Sequence, residues 1–313
     1  MHSLTYDDVK LAADRLAGHV RPVTVTPAGH GVWLALEHMQ HTGSFKARGA
    51  HNFLAAHREA GTLPEAGVTI ASGGNAGLAC AWSARLQGVR ATVFLPENAP
   101  HVKVAKLRGY GADVRLVGTE YAQALAACEE FAATTGALAS HAYDHPLIAA
   151  GAGTLLDEIR EQVPGLDTVV VAVGGGGLFA GVATAARHHG LRTVAVEPEN
   201  CRALNAALEA GAVVDVEVDS VASDALGARR VSPTALAVAR GADVRSVLVP
   251  DAEIVRARQT LWDDRRLAVE HAGATASAAL GAGERNAYVP EAGERVAVVV
   301  CGANTDPGDL VQR

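Results

Sequence analysis

Short apolar segments alternate with amphipathic helical segments along almost the whole chain, and this alternation restricts the fold more than any other feature. Runs such as Val68–Ala71, Ala91–Leu95 and 168–173 are apolar except for one threonine each and do not alternate with polar residues. Strands that are apolar on both faces belong to mostly parallel sheets covered by helices on both sides. The pattern predicts an α/β fold with enough strands for two open, parallel-rich sheets. Strands are expected over 32–39 and 137–140 and a helix near 121–135, and Thr5 and Asp251 are the expected N-caps of two further helices.

Composition and charge narrow the range of functions. The 313 residues suit one large domain or two closely joined domains, and 49% are hydrophobic while 19% are charged. A formal net charge of −7 argues against a nucleic-acid or anionic-membrane partner. Four cysteines without CxxC spacing favour a reducing cytosol over a disulfide framework or a zinc site.

No targeting or membrane-spanning segment is expected. Residues 1–10 contain two aspartates and lack the apolar core of a signal peptide. The stretch 168–186 is uncharged and long enough to cross a bilayer, but four consecutive glycines in its middle favour a strand, a loop and a helix. We therefore expect a cytoplasmic protein with no membrane partner.

Lys46 is the candidate catalytic residue. It follows a Thr-Gly-Ser turn, lies between Phe45 and Ala47, and begins an apolar-periodic helix for which Ser44 is the expected N-cap. A cation in a first turn opposes the helix dipole, so a requirement other than helix stability is indicated. In apolar surroundings a lysine has a lowered pKa and can form a Schiff base. The alternative is a surface lysine with a buried stem.

Two glycine-rich loops each follow a predicted strand and open a helix. The first is Ser72-Gly73-Gly74-Asn75-Ala76-Gly77, whose free backbone N–H groups can bind a carboxylate or a phosphate. The second is Gly174-Gly175-Gly176-Gly177, which can form a cradle of N–H groups around a phosphate. The spacing from Gly175 to Ala180, with Glu197 farther on, also fits a dinucleotide fingerprint, so an NAD-dependent oxidoreductase stays open.

The remaining candidates are a cysteine and several histidines. Cys301-Gly302-Ala303-Asn304 follows the last apolar strand, where α/β sheets bind ligands, although a free cysteine is more often a small buried apolar residue. His141, Asp144 and His145 have a ligand-like spacing, but Pro146 disfavours helical geometry at His145. We predict no metal site.

In this order, residues 42–49, 72–77, 174–177 and 301–304 resemble the serine/threonine dehydratase branch of the fold-type II enzymes, which use pyridoxal 5′-phosphate. Threonine ammonia-lyases and serine racemase-like proteins belong to this branch. The resemblance runs from residue 26 to residue 304. It implies a fold like that of the tryptophan synthase β chain, with a large cofactor-binding domain formed by 1–66 and 145–313, a small domain formed by 67–144, and the cofactor between them.

The resemblance also implies roles for individual residues. Lys46 would be the Schiff-base lysine and Phe45 its neighbour beside the cofactor ring. Asn75 would bond the phenolic oxygen and Cys301 would meet the pyridine nitrogen. Gly174, Gly175, Gly176 and Gly177 would hold the phosphate, and Ser72 with the amides of Asn75, Ala76 and Gly77 would bind the substrate carboxylate.

The implied reaction is dehydration of L-threonine or L-serine to an enamine, which hydrolyses to a 2-oxo acid and ammonia. A neutral cysteine at the pyridine nitrogen suits elimination better than transamination. Racemisation, β-replacement or dehydration of a specialised β-hydroxy amino acid are alternatives, as is a non-catalytic ligand-binding relative. Gly73 stands where racemases of the family have a second serine, and Ala203 where metal-activated relatives have an acid. We expect a homodimer acting on a small amino acid.

Overall fold

The computed structural model describes residues 4–281 and 288–311, so 1–3, 282–287 and 312–313 of the predicted large domain lie outside it. The predicted alternation of strands and helices is confirmed. The helices are α1 Tyr6–Leu16, α2 Lys46–Glu59, α3 Asn75–Leu86, α4 His101–Gly109, α5 Tyr121–Thr135, α6 Pro146–Gln162, α7 Gly177–His188, α8 Ala203–Ala210, α9 Ser223–Leu226, α10 Pro233–Gly241, α11 Asp251–Arg265 and α12 His271–Gly281. The strands are β1 Val25–Gly29, β2 Val32–Ala35, β3 Val68–Ala71, β4 Ala91–Leu95, β5 Asp113–Leu116, β6 Leu138–Ala139, β7 Thr168–Ala172, β8 Arg192–Pro198, β9 Val244–Val249 and β10 Val296–Val299.

These strands form two sheets. The larger has the order β1-β2-β10-β7-β8-β9 and is parallel except for the β1–β2 pair. The smaller has the order β5-β4-β3-β6 and is parallel throughout. Every residue of β3, β4 and β7 is buried, as expected for strands covered on both faces. The prediction of two open, parallel-rich sheets is confirmed.

Local capping agrees with the sequence at some helices and not at others. Thr5 caps α1 in a capping box with Asp8, which confirms the predicted start of that helix. Ser44, predicted to cap α2, is extended and pairs with Gly302, so the N-cap position falls to Phe45. Asp251, predicted to cap α11, accepts hydrogen bonds from the neighbouring 220–221 loop instead. In both cases a long-range contact overrides the local preference.

Two predicted strands are shorter in the structure. The strand expected over 32–39 ends at Ala35 and continues as the 3-10 turn Glu37–Met39. The strand expected over 137–140 is limited to Leu138–Ala139, the edge of the small sheet. The first difference follows from Glu37, whose carboxylate is drawn into a buried ion pair with Arg48.

Arg48 joins three segments beside the start of α2. Its guanidinium is fully buried and donates to both Glu37 oxygens, at 2.6 and 3.1 Å, and to both Glu158 oxygens, at 2.5 and 2.8 Å. It also donates to the Thr154 hydroxyl and the Arg21 carbonyl. The network ties the Glu37 turn and α6 to the first turn of α2, and thereby restrains the backbone at Lys46.

Replacing Arg48 tests this anchor. Arg48→Met leaves the Glu37 carboxylate buried without its cation, so we expect the free energy of unfolding to fall by about 3–5 kcal/mol in a urea titration. Arg256→Met is the matched control, because Arg256 is exposed and its pair with Glu253 contributes at most about 1 kcal/mol. Equal losses in the two variants would contradict the anchoring role.

Candidate active site

A cleft of about 730 Å³ opens at the carboxyl ends of β3, β7 and β10. Ligands of open α/β sheets bind at such strand ends. Nearly all of the predicted site residues line this cleft, although they are far apart in the sequence. The predicted site residues that line it are Phe45, Lys46, Ser72, Asn75, Ala76, Gly174, Gly175, Gly176, Gly177 and Cys301. Gly77 does not line it and lies in the first turn of α3.

Lys46 is the first residue of α2 and is half-buried in the cleft wall. Its Nζ donates to the Ala142 carbonyl over 3.0 Å and lies 4.8 Å from the centroid of the Phe45 ring. Burial lowers the pKa of Lys46 to about 8, against the opposing effects of Cys301 and Glu270. The side chain is therefore an amine that is partly neutral near neutral pH.

The four-glycine loop forms a close-packed turn between β7 and α7. Gly176 has φ 95°, a conformation that favours glycine, and a Cβ there would lie 2.5 Å from the Ala235 Cβ. A Cβ on Gly175 would lie 2.3 Å from the Tyr143 ring. No side chain caps α7, so its first N–H groups are available to an anion in the cleft. The predicted cradle is thus compatible with a phosphate.

The second loop, between β3 and α3, has the same design. α3 begins at Asn75 after Gly74 and has no side-chain cap, so its first amides are also suited to an anion. Gly77 must be glycine here, because a Cβ would lie 1.8 Å from the Ser72 carbonyl oxygen. Two helix starts that favour negative charge therefore lie on the same cleft as the Lys46 amine.

Asn75 is held by two partners that the sequence motifs do not connect. Its Nδ2 donates to Glu270 Oε1 over 2.7 Å, and its Oδ1 accepts from Asn304 Nδ2 over 2.7 Å. Asn304 N also donates to Glu270 Oε2, and burial raises the pKa of Glu270 above its ordinary value. Each Asn75 amide atom is oriented, while one Nδ2 proton stays available to a ligand. In the sequence, Glu270 is marked only by being an isolated acidic residue directly before the Ala-rich α12.

Cys301 lies at the end of β10 on the floor of the cleft. Burial raises the pKa of its thiol to about 12, with Glu270 adding to the effect. The thiol donates to the Ala272 carbonyl over 3.6 Å. Cys301 is therefore a neutral group at physiological pH, as its predicted role requires.

The structure brings further residues to the cleft that the motifs did not predict. Tyr143 packs its ring on Gly175, and Ala142 supplies the acceptor for Lys46. Lys103 in α4 pairs with Asp224 in α9 over 2.9 Å, joining opposite walls of the cleft. Contacts of this kind depend on chain packing and have no local sequence pattern.

The structure does not support the interpretation of residues 175–197 as a dinucleotide-binding fingerprint. Glu197, which would bind a ribose hydroxyl, is fully buried and accepts from the backbone N–H groups of Leu204 and Asn205 at 2.7 and 2.8 Å. Burial raises its pKa to about 8. Its carboxylate stabilises the start of α8 and is not available to a nucleotide.

The histidines do not assemble a metal centre in the described parts of the chain. His145 has φ −152°, outside the helical region as Pro146 predicts, and it caps α6 by accepting from Leu147 N. Within residues 4–281 and 288–311, no group of three or more His, Cys, Asp or Glu side chains could hold a metal ion. The same ranges contain no helix of the length and apolarity that crossing a bilayer requires.

The chain is similar to known proteins along most of its length. The family profile described as pyridoxal-phosphate dependent enzyme matches residues 21–302. The L-threonine ammonia-lyase of Geobacter sulfurreducens is 36% identical over 313 residues, covering 97% of this chain and 76% of that protein. The serine dehydratase-like protein of Rattus norvegicus is 38% identical over 297 residues, covering 91% of this chain and 88% of that protein. The structure of maize serine racemase superimposes with a TM-score of 0.89 at 27% identity, covering 99% and 96% of the two chains.

The pKa of Lys46 gives a test of the site. In cofactor-free protein, acylation of Lys46 measured by mass spectrometry should rise with pH through a midpoint near 8, because only the neutral amine reacts. Glu270→Gln removes a charge that raises this pKa, so the midpoint should move to lower pH. The exposed Lys106 is the internal reference. A Lys46 midpoint near 10.4, the ordinary value for lysine, would contradict the desolvated environment.

Proposed function

The chain belongs to the pyridoxal-phosphate dependent enzymes, and we propose that it eliminates water from L-threonine or L-serine and releases a 2-oxo acid and ammonia. It is a fold-type II enzyme of the serine/threonine dehydratase branch, and an NAD-dependent oxidoreductase is excluded as its function. The observation that carries the proposal is the desolvated Lys46 amine on a cleft shared by two anion-binding helix starts. The ammonia-lyase relatives favour elimination over the racemase, β-replacement and specialised-substrate alternatives.

The residues present fit pyridoxal phosphate. Lys46 would hold the cofactor through its amine, the cradle from Gly174 to Gly177 would hold the phosphate, and Cys301 would face the pyridine nitrogen. Gly175 has no room for a Cβ beside the Tyr143 ring, so this part of the loop offers backbone N–H groups and no side chain to a phosphate. When bound, the cofactor supplies an electron sink for the charge that develops at the substrate Cα.

Two further groups of the chain would bind the cofactor's phenolic oxygen and the substrate carboxylate. Asn75, oriented by Glu270 and Asn304, can donate its free Nδ2 proton to the cofactor's phenolic oxygen. Ser72 and the first amides of α3 would bind the substrate carboxylate, since an uncapped helix start favours an anion. Binding at this helix start would hold the substrate Cα on the side of the cleft that Lys46 lines.

Lys46 would act as the general base. A pKa of about 8 leaves a useful fraction of neutral amine near neutral pH while the conjugate acid remains able to return a proton. The neutral thiol of Cys301 adds no charge that would protonate the pyridine nitrogen. A weakly stabilised negative charge at Cα favours loss of the β-hydroxyl as water. Addition of water to the resulting enamine then releases ammonia, so the net products are the 2-oxo acid and ammonia.

We infer a small domain of residues 67–144 and a large domain of 1–66 with 145–313, forming a homodimer in the cytoplasm. The four-stranded sheet uses only strands between Val68 and Ala139, which supports this division. The cleft between the two sheets would then be the substrate site, and closure of the small domain would exclude water from it.

Replacing Lys46 tests the proposed reaction. Lys46→Arg keeps a positive charge but removes the amine that acts as base, so turnover of L-threonine should fall at least ~10²-fold. The 2-oxo acid is followed with a coupled reductase, and Lys106→Arg is the exposed control. Turnover of Lys46→Arg within a few-fold of the unaltered enzyme would contradict the role of Lys46. An unaltered enzyme that converts neither threonine nor serine would contradict the proposed substrates.

Elimination should exceed racemisation. Gly73 has no side chain, so it offers no proton donor on the opposite face of Cα. A Cβ at position 73 would lie 2.6 Å from Leu95 Cδ2. With L-serine, pyruvate should therefore form ~10²–10⁴-fold faster than D-serine, measured by chiral chromatography in the same reaction. Gly73→Ser should raise the D-serine rate and Gly73→Ala should not. Comparable rates of the two products in the unaltered enzyme would mean that another residue supplies the second proton. Tyr143 and His141 would then be the next residues to replace.

A further inference from the structure

The loop of residues 140–145 connects β6 to α6 and contributes two groups to the active-site cleft. The Ala142 carbonyl accepts from Lys46 Nζ over 3.0 Å. Tyr143 places its ring against Gly175, and its backbone lies about 3.0 Å from where a Cβ on Gly177 would be. One short loop therefore contacts both the Lys46 amine and the glycine cradle, so its conformation affects both.

His141 organises this loop from within. Its Nδ1 accepts from the backbone N–H of Tyr143 over 3.2 Å and from that of Asp144 over 2.8 Å. A ring nitrogen that accepts from N–H groups carries no proton, so the ring is neutral and its proton is on Nε2. This arrangement has the same form as the turns in which an Asn or Asp side chain accepts from the backbone two or three residues farther on.

The two hydrogen bonds enclose Ala142. Because the ring binds the N–H groups of the next two residues, it fixes the peptide units on the C-terminal side of Ala142 and hence the direction of its carbonyl. The His141 ring also packs edge-on against the Tyr143 ring, with centroids 4.8 Å apart. The same side chain therefore restrains both groups that the loop presents to the cleft.

We propose that His141 is a positioning residue, whose neutral ring folds the 140–145 loop so that Ala142 holds the Lys46 amine and Tyr143 covers the glycine cradle. The inference rests on the proposed role of Lys46 in holding the cofactor. His141 acts through the loop.

The surroundings of His141 favour the neutral ring. Burial lowers its pKa below the ordinary value, Lys46 on α2 lowers it further, and Asp144 on the same loop opposes the shift. Tyr143 and, at the start of α6, His145 are the other titratable neighbours. A histidine with a lowered pKa contributes its stabilisation above the unfolded value of about 6.5, and loses it as pH falls through the folded value. Acid should therefore release the loop.

Two substitutions separate acceptance of hydrogen bonds from mere packing. His141→Asn keeps an oxygen that can accept both N–H groups and does not titrate in this range, whereas His141→Leu fills space without an acceptor. His101→Asn, on the exposed start of α4, is the matched control. The measurements are the dissociation constant of pyridoxal phosphate and its visible absorption between pH 5 and about 8.5 in the reconstituted enzyme.

We expect His141→Leu to weaken cofactor binding about 5- to 30-fold, corresponding to one or two lost hydrogen bonds. His141→Asn should stay within about 3-fold of the unaltered enzyme at neutral pH. Acid weakens binding in every variant by protonating the Lys46 amine, but the additional weakening that His141 causes below pH ~6.5 in the unaltered enzyme should be absent from His141→Asn. Affinity of His141→Leu equal to that of the control, or an acid weakening as large in His141→Asn as in the unaltered enzyme, would overturn the proposal.

If His141→Leu does not fold, the pH dependence of cofactor binding in His141→Asn, compared with that of the unaltered enzyme, tests the proposal by itself. None of these readouts uses an amino-acid substrate. The proposal on His141 and the proposed reaction therefore fail independently, because absence of 2-oxo acid formation by the unaltered enzyme leaves the cofactor measurements interpretable.

Discussion

Desolvation of the Lys46 amine is the constraint on which the rest of the structure depends. Burial disfavours the charged form and lowers the pKa to about 8, so the surroundings must hold an amine that changes between two charge states. The Ala142 carbonyl accepts a hydrogen bond in either state, and Arg48 anchors the same helical turn through Glu37 and Glu158. A buried ion pair is therefore used here to fix the backbone beside the reactive group. Among the described residues, no carboxylate forms an ion pair with the Lys46 amine itself.

The remaining charges of the site are arranged around this amine by fold geometry. Helices α3 and α7 both begin on the cleft without side-chain caps, one after each sheet's central strands, and each start favours an anion. Cys301 stays neutral, and the Glu270 carboxylate is engaged by Asn75 and Asn304. This combination provides two anion sites, one amine and a neutral floor, which fits a phosphorylated cofactor and an amino-acid carboxylate on the same cleft.

Much of the fold follows from the sequence because its signals are local. Apolar runs such as Val68–Ala71 and helices such as Tyr121–Thr135 have the predicted bounds, and the glycine loops lie at strand ends as their spacing requires. Predictions at Ser44 and Asp251 are wrong because each residue is recruited by a distant segment. The link from Glu270 to Asn75 is absent from the motifs for the same reason, because only the assembled sheets bring these two residues together. The hydrogen bonds of His141 to Tyr143 and Asp144 are local, but a histidine that accepts from its own turn has no recognised sequence motif.

Covalent mapping of the cofactor tests the central claim most directly. Reduction of the pyridoxal phosphate-loaded enzyme with borohydride, followed by proteolysis and mass spectrometry, should give a pyridoxyl label on Lys46 alone. The label should be absent from Lys46→Arg, which retains the fold and the glycine cradle. A label on Lys103, the other lysine that lines the cleft, or on Lys106 would contradict the account.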